Sequence, residues 1–408
     1  MRGKGRGAPR AEPAAAADAT DVMRLRTRPG RRQRALGALL ALALTAAGAQ
    51  GAILPEDRSD ALYHVYTGDE VTVQGPSFLV RKSVGSNVSL SANYYIDFVS
   101  SASVDVRATA SEYTERRDEQ TVSADYLHGK AIVTASYTRS EESDYTANTA
   151  SLGISQDFFG DQTTLSMSYA RGWDTVRNNA DPDFEASLDR QTYRLGLTQI
   201  LSRNALVSLN FEGITDEGYL NNPYRSVRFV DPTAGRGFSY QQERYPETRT
   251  SGAASVRGKY FLPWGASATV GYRWFEDTWG LAAHTGELAY AQSFGEDWTL
   301  EANYRYYTQS GADFYSDLFP RRDAQNFLAR DKELSAFDSH QFGVGLTYEF
   351  FRRQQGTFKR SSVTLLVDQM LFEYGDFRDA TDTGAPVGQE DPFSFQATVV
   401  QLFFSLWY

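Results

Sequence analysis

The last fourteen residues of the chain, FQATVVQLFFSLWY from Phe395 to Tyr408, constrain the fold more than any other stretch. Counted back from the terminus to Val400, every second residue is apolar, whereas Ser405, Gln401 and Ala397 lie at interleaved positions. A period of two predicts a β-strand whose two faces meet different surroundings. A soluble protein rarely ends on so apolar a strand, but lipid covers the outward face of a strand in a transmembrane barrel. The alternative is the buried last strand of a soluble β-sandwich.

The same ending resembles the signal that the barrel assembly machinery reads in outer-membrane barrels. Trp407 and Phe403 interrupt the more polar face, but the apolar row continues to the last residue. We therefore expect this row to face lipid and to act as the assembly signal. It consists of Val400, Leu402, Phe404, Leu406 and Tyr408.

Residues 23–51 have the order of a secretory signal peptide. A basic region from Arg24 to Arg34 precedes an apolar run of Ala and Leu from Ala35 to Ala47, and small residues suited to cleavage follow. The run is too short for a transmembrane helix, which needs about 20 residues. Because signals begin near the first Met, we predict that Met23 is the functional start. Residues 1–22 are then an extension from a misplaced gene start, and residues 52–408 form the barrel.

Composition narrows the class further. The chain has no Cys, which excludes disulfides, thiol catalysis and thiolate metal sites. After residue 51 it carries 31 Lys or Arg against 48 Asp or Glu, so it should repel nucleic acid. It has 24 Tyr and 25 Phe at a mean hydropathy of −0.46. Many aromatics at low mean hydropathy, without a long apolar run, are typical of a transmembrane barrel.

Two-faced segments recur along the chain. Val88–Phe98 and Trp298–Gln309 alternate between apolar and polar residues, and each has about the length that a tilted strand needs to cross a bilayer. Further segments of this kind are Ala131–Arg139, Thr163–Trp173, Tyr193–Leu201, Ala205–Ile214, Ala253–Leu262, Ala266–Phe275, His284–Phe294 and Phe342–Phe350. Two more strands are expected near Val65–Val73 and Phe78–Val84, joined by Gly75-Pro76-Ser77. The prediction is an all-β, antiparallel up-and-down transmembrane barrel of roughly 16 strands.

The connections alternate between short and long. Short turns with Gly, Asn and Asp are typical of the periplasmic side, and long loops of the extracellular side. The predicted long loops are Asp174–Leu188, Asp216–Pro246, Ser310–Ser335 and Asp376–Pro392. Aromatic residues beside the short turns are expected to form one girdle: Phe158, Phe159, Phe261, Trp264, Phe294 and Trp298.

Charged residues lie on the faces opposite the apolar rows. Charge facing lipid is costly, so these side chains are expected to line the lumen. One interpretation is a self-neutralising network that stiffens the wall, and the other is a charged constriction that selects solutes. The residues are Asp97, Asp125, Arg194, Glu212, Arg257, Lys259, Arg273, Glu287, Glu301, Arg305 and Glu349.

No catalytic or cofactor site is predicted. His128 lies in a turn. His340 follows Asp338 and Ser339, but adjacent residues on a strand point to opposite faces of the sheet. Oxygen ligands at alternate positions form a weak calcium candidate, but an ordinary acidic loop is the stronger interpretation. They are Asn179, Asp181, Asp183 and Glu185.

Several longer motifs resemble a bacterial family known as domain of unknown function 3570. They are SANYYIDFVSSASVDV from Ser91, SQDFFGD from Ser155, DRQTYRLGLTQ from Asp189 and TDEGYLNNPYR from Thr215. The resemblance covers nearly all of the chain after residue 51 and implies an outer-membrane barrel of a Gram-negative bacterium. It implies no catalytic residues. It also implies a small lipoprotein, a thioredoxin-like protein and a flavin transferase as genetic neighbours, and so a periplasmic redox or flavoprotein partner.

Three functions follow as hypotheses. The first is a channel or transport barrel for small solutes. The second is a structural or docking barrel that anchors a periplasmic or surface partner. The third, least favoured, is an outer-membrane hydrolase.

Overall fold

The computed structural model describes residues 52–101, 113–352 and 358–408. The predicted signal peptide at 23–51 and the extension at 1–22 lie outside these residues and stay predictions. In the described ranges, no helix has the length and hydrophobicity of a membrane span.

The described residues form eighteen strands and one short 3₁₀-helix, Lys332–Leu334. The first nine strands are β1 Arg58–Gly68, β2 Val71–Val84, β3 Val88–Ser101, β4 Tyr113–His128, β5 Ala131–Glu141, β6 Tyr145–Phe158, β7 Thr163–Asn178, β8 Asp181–Ser202 and β9 Ala205–Gly218. The others are β10 Ser226–Val230, β11 Phe238–Gln242, β12 Thr248–Leu262, β13 Ala266–Asp277, β14 Ala282–Phe294, β15 Trp298–Gln309, β16 Phe337–Arg352, β17 Arg360–Arg378 and β18 Pro392–Trp407.

Sixteen of these strands close into one antiparallel barrel, which confirms the predicted fold. Each strand pairs with its neighbour in sequence, and β1 pairs with β18 from Arg58↔Trp407 to Gly68↔Ala397. Strands β10 and β11 form a separate hairpin in the connection between β9 and β12. Because the strand number is even, Arg58 and Trp407 lie at the same end, together with the short turns. This end is the periplasmic one.

One face of every barrel strand carries large apolar side chains that are exposed at the outer surface. Val270 and Tyr272 on β13 and Val344 on β16 are among them. Lipid is the medium that makes such a band stable in place of water. The chain is an outer-membrane β-barrel.

The first hairpin differs from the prediction. Its turn is Asp69-Glu70, both with positive φ (52° and 54°), and not Gly75-Pro76-Ser77. Two-residue hairpins of this conformation favour Asn-Gly, so the sequence carries little signal for this turn. Gly75 instead lies inside β2, where a Cβ would come 1.9 Å from the Ile96 carbonyl oxygen of β3. Gly at this position permits that close approach.

The predicted loop Asp174–Leu188 is also wrong. β7 continues to Asn178 and β8 begins at Asp181, so two residues make the turn. Residues from Trp173↔Asp189 to Arg177↔Glu185 remain paired. A polar strand segment beyond the bilayer satisfies its backbone by pairing with its neighbour, and a hydropathy pattern does not reveal it.

The aromatic girdle forms with one exception. Phe159, Trp264 and Phe294 are exposed beside the periplasmic turns, as are Phe158 and Trp298. Phe261 follows the outward Tyr260 and therefore faces inward, with the Lys259 ammonium 5.2 Å from its ring centroid.

Among the outer connections that the structure describes, three are long: 219–247, which contains β10 and β11, 310–336 and 379–391. In the order of the eight outer connections they are loops 5, 7 and 8, and together they are called the loop cap. They lie over the outer mouth and position the site described next.

Candidate functional site

The structure places all eleven predicted charged residues on the strand face opposite the exposed apolar rows. On β13, for example, Arg273 lies between the outward Tyr272 and Trp274. Strand alternation therefore points these side chains inward. Lys259, Glu301 and Glu349 lie toward the periplasmic end.

Two Arg–Glu–Arg triplets lie within six consecutive barrel strands, β8, β9 and β12 to β15. Arg194 donates through Nε to Glu212 Oε2 at 2.7 Å, and an Arg273 Nη2 donates to the other Glu212 oxygen at 3.3 Å. These strands are β8, β9 and β13.

In the second triplet, Arg257 Nη2 donates to Glu287 Oε2 at 2.5 Å. Arg305 Nε lies 3.8 Å from Glu287 Oε1. Glu212 on β9 thus bridges arginines of β8 and β13, and Glu287 on β14 bridges arginines of β12 and β15. The six residues carry four positive and two negative charges.

The opposite wall, on β1 to β4, is packed. His64 Nε2 lies 2.7 Å from Asp97 Oδ1 and its ring stacks on Tyr95 at 4.9 Å between centroids. The Arg117 Nε is 3.7 Å from Asp97 Oδ2. His64, Asp97 and Arg117 are all buried. Nearer the periplasm, Arg81 donates to Asp125 at 2.7 Å.

The two walls differ in their access to water. The side chains of Arg257 and Glu287 are 45% and 36% exposed although they face inward. Since the strand faces that carry them are closed off from the outside, the water that they meet is inside the barrel. Barrels of 16 strands are wide enough for an aqueous lumen.

The loop cap is held by buried ion pairs. Arg228 of loop 5 is fully buried and donates to Glu390 of loop 8 at 2.6 Å and 3.1 Å. It also pairs with Asp317 of loop 7, which Arg330 contacts at 3.0 Å. One guanidinium therefore joins three loops that are distant in sequence.

Apolar packing continues the cap down onto the wall. Phe314 and Leu334 of loop 7 are in one buried cluster with Phe275 and Ala283, which are inward residues of β13 and β14. The rings of Trp279 and Phe314 meet edge to face at 5.2 Å. Loop 7 thus folds inward over the mouth.

Further contacts tie the cap to the rest of the rim. Lys332 of loop 7 is buried, lies 2.5 Å from Asp69 in the β1–β2 turn, and stands 5.7 Å from the Phe395 ring centroid. On the other side, the backbone N–H of Asn179 in the β7–β8 turn donates to Tyr224 of loop 5 at 2.7 Å. The cap therefore contacts both sides of the mouth.

The cap also holds a titratable group with a strongly shifted pKa. Burial raises the pKa of Glu243 to about 7, with the Asp331 charge adding to the rise and Arg225 opposing it. The Glu243 carboxylate accepts hydrogen bonds from the Tyr245 hydroxyl at 2.5 Å and the Arg330 backbone N–H at 2.6 Å.

The calcium candidate does not assemble. Asn179 lies in the turn, while Asp181, Asp183 and Glu185 are exposed along β8, and Glu185 pairs with Arg177 at 3.2 Å. In the ranges that the structure describes, no group of three or more His, Asp or Glu residues is placed to hold a metal ion.

The predicted assembly row lies along β18. Val400, Leu402 and Phe404 are exposed on its outward face, with Leu406 and Tyr408 half-buried beyond them. The Tyr408 hydroxyl donates to the Arg81 carbonyl at 3.0 Å, so the terminus is anchored across β1. Its role as an assembly signal stays a prediction.

No sequence motif marks the residues that hold the cap. Arg228 is 89 positions from Asp317 and 162 from Glu390, so no local pattern connects them. β1 begins at Arg58, seven residues before the strand expected near Val65–Val73, so that expected strand leaves out His64 and its pairing with Asp97. The alternation of Leu62, His64 and Tyr66 is the signal that would have placed His64 inward.

Comparison with known proteins gives a family and a set of barrels. The family model described as "Protein of unknown function (DUF3570)" matches residues 105–361. No curated protein matches the chain.

Among solved structures, the siderophore receptor PirA from Pseudomonas aeruginosa is similar at 12% identity over 86% of this chain and 63% of the receptor, with a TM-score of 0.40. The CymD monoaromatic hydrocarbon channel is similar at 10% identity over 87% of this chain and 89% of the channel, with a TM-score of 0.40. A bacterial polysaccharide outer membrane secretin is 7% identical over 87% of this chain and 100% of that protein, with a TM-score of 0.48. The chain thus spans 63% of the PirA length.

Proposed function

Because the chain belongs to the family described as Protein of unknown function (DUF3570), whose description assigns no activity, we propose its function from its lumen: a channel for small solutes, covered on the outer side by the loop cap. The observation that carries the proposal is the exposure of inward-facing Arg257 and Glu287. Side chains that only stiffened a filled barrel would be buried, as His64 and Asp97 are on the opposite wall.

The loop cap sets how fast solutes enter. It contacts both sides of the mouth, and its ion pairs are buried, so the wild-type barrel should pass solutes slowly. Weakening the cap from within should raise the flux without altering the barrel wall. Arg228 suits this purpose because it lies in the β10–β11 hairpin, outside the barrel.

A liposome-swelling assay with small neutral sugars tests the proposal. Arg228→Ala should swell liposomes faster than the wild type. Arg244→Ala is the matched control, since Arg244 also joins loop 5 to loop 7, through Asp323 at 2.8 Å, but both side chains are exposed. It should behave as the wild type does.

If folded Arg228→Ala protein passes no solute, the channel proposal fails. The docking barrel, with its predicted periplasmic lipoprotein or redox partner, is then the better hypothesis.

A further inference from the structure

The two Arg–Glu–Arg triplets point to a ligand class. We propose that the lumen wall formed by β8, β9 and β12 to β15 binds small solutes that carry a carboxylate or phosphate group. This inference rests on the proposed channel function and names the solutes that the channel favours.

The triplets carry a net positive charge. Arg194, Arg257, Arg273 and Arg305 outnumber Glu212 and Glu287 by two on this wall. The excess lies in a lumen with protein on every side, where low-dielectric walls concentrate the field of fixed charges. Rings of Arg or Lys select anions in pores for this reason.

The guanidinium groups of the triplets are preorganised. Each Glu contacts two arginines, so the guanidinium groups are held on the wall before any solute arrives. A guanidinium presents its donors in a fork that matches the oxygens of carboxylate and phosphate. A lone flexible Lys would attract anions without this geometric fit.

The arginines of the triplets are accessible from the lumen. The triplet wall meets lumen water, with Arg194 and Arg273 still 26% and 24% exposed in the first triplet. The facing wall holds Asp97 and Glu119 against Arg117, so its carboxylates are more numerous than its arginines, but it is packed. An anion in the lumen therefore meets the arginines and is directed away from the acidic side.

The triplet wall lies beneath the loop cap. Phe275 and Tyr307 follow Arg273 and Arg305 by two residues, and their rings lie 5.5 Å and 5.3 Å from the guanidinium carbons. Both aromatic residues pack in the apolar cluster beneath loop 7. The site thus lies directly under the loop cap, where an entering solute arrives first.

The test combines ion selectivity with equilibrium binding. Reversal potentials are measured under a KCl gradient in the Arg228→Ala barrel, and binding of benzoate and of inorganic phosphate is measured by calorimetry on purified protein. We expect preference for chloride over potassium and saturable binding of at least one oxyanion, the two probes separating carboxylate from phosphate recognition.

Arg257→Gln and Arg305→Gln should each lower the anion preference and weaken oxyanion binding about tenfold or more, since each removes a charged hydrogen-bond donor. Glu287→Gln should raise the anion preference. Lys259→Gln is the matched control, because it removes one lumen charge outside both triplets. It should leave oxyanion affinity within about twofold, as expected for a charge that does not touch the ligand.

A barrel that conducts but prefers cations, or in which Lys259→Gln weakens binding as much as Arg257→Gln, overturns this inference and leaves the channel intact. Saturable, Arg257-dependent binding by a barrel that does not conduct supports the site and refutes the channel.

Discussion

Replacing Arg228 by alanine tests whether buried ion pairs hold the loop cap closed. The Arg228 side chain is fully buried between Asp317 and Glu390. After the substitution Asp317 keeps Arg330, whereas the Glu390 carboxylate keeps the Gly388 backbone N–H at 2.8 Å but loses its pairing with the Arg228 guanidinium. Removing one partner of a buried ion pair costs about 3–5 kcal/mol, because the other charge stays buried without compensation.

Arg244→Ala provides the comparison within the same two loops. The Arg244 and Asp323 side chains are 47% and 61% exposed, and pairs of this kind contribute about 0–1 kcal/mol. Both arginines join loop 5 to loop 7, but only Arg228 is buried and only Arg228 also pairs with loop 8.

Hydrogen exchange measures the difference at two amides. The Phe319 N–H donates to the Arg228 carbonyl at 2.9 Å, and the Leu328 N–H donates to the Arg244 carbonyl at 2.7 Å. Arg228→Ala should speed exchange at both by about two to four powers of ten, and Arg244→Ala by about fivefold at most. A barrel amide such as Leu346 should not change. Equal protection of Phe319 and Leu328 in the two variants would refute the reasoning.

Three further predictions concern the wall, the terminus and pH. Val270→Arg should destabilise the barrel by about 2–4 kcal/mol because Val270 faces lipid. Thr269→Arg is the control, since Thr269 is one residue away and faces inward, and this variant should fold normally. Equal loss of heat-modifiable barrel in the two variants would show that the strand register is wrong. Deleting Trp407 and Tyr408 should lower the yield of folded barrel in outer membranes, and unchanged yield counts against the assembly signal. The pKa of Glu243 is about 7 in the folded protein, above the ordinary 4.5, so protonated Glu243 stabilises the cap fully below pH 4.5 and this stabilisation is lost as pH rises through 7. Hydrogen exchange of cap amides, corrected for intrinsic rates, should therefore increase from pH 4.5 to 7. Glu243→Gln should remove that increase.

The barrel was predictable because its physics is local. Alternation along a strand such as Trp298–Gln309 is set by lipid on one side and water on the other, and each strand shows it by itself. The inward positions of Arg257, Glu287 and Arg305 follow from the same alternation. Which arginine pairs with which glutamate does not, because that depends on the register between strands.

The cap was not predictable for the opposite reason. Arg228, Asp317 and Glu390 come from three loops, and only the folded chain brings them together. The polar ends of β7 and β8 likewise give no strand signal in the sequence, because residues beyond the bilayer have no apolar face. The Asp69-Glu70 turn was missed because its conformation is held by the paired strands and not by Gly or Asn.

Single-channel recording in planar lipid bilayers shows whether the lumen beneath the loop cap is filled with water and conducts ions. Purified wild-type and Arg228→Ala proteins, each shown to be heat-modifiable, are inserted from detergent under the same salt. We expect discrete current steps, with Arg228→Ala open for a larger fraction of time and Arg244→Ala equal to the wild type. Folded barrels that insert and give no current steps, in the wild type and in Arg228→Ala alike, would contradict this expectation.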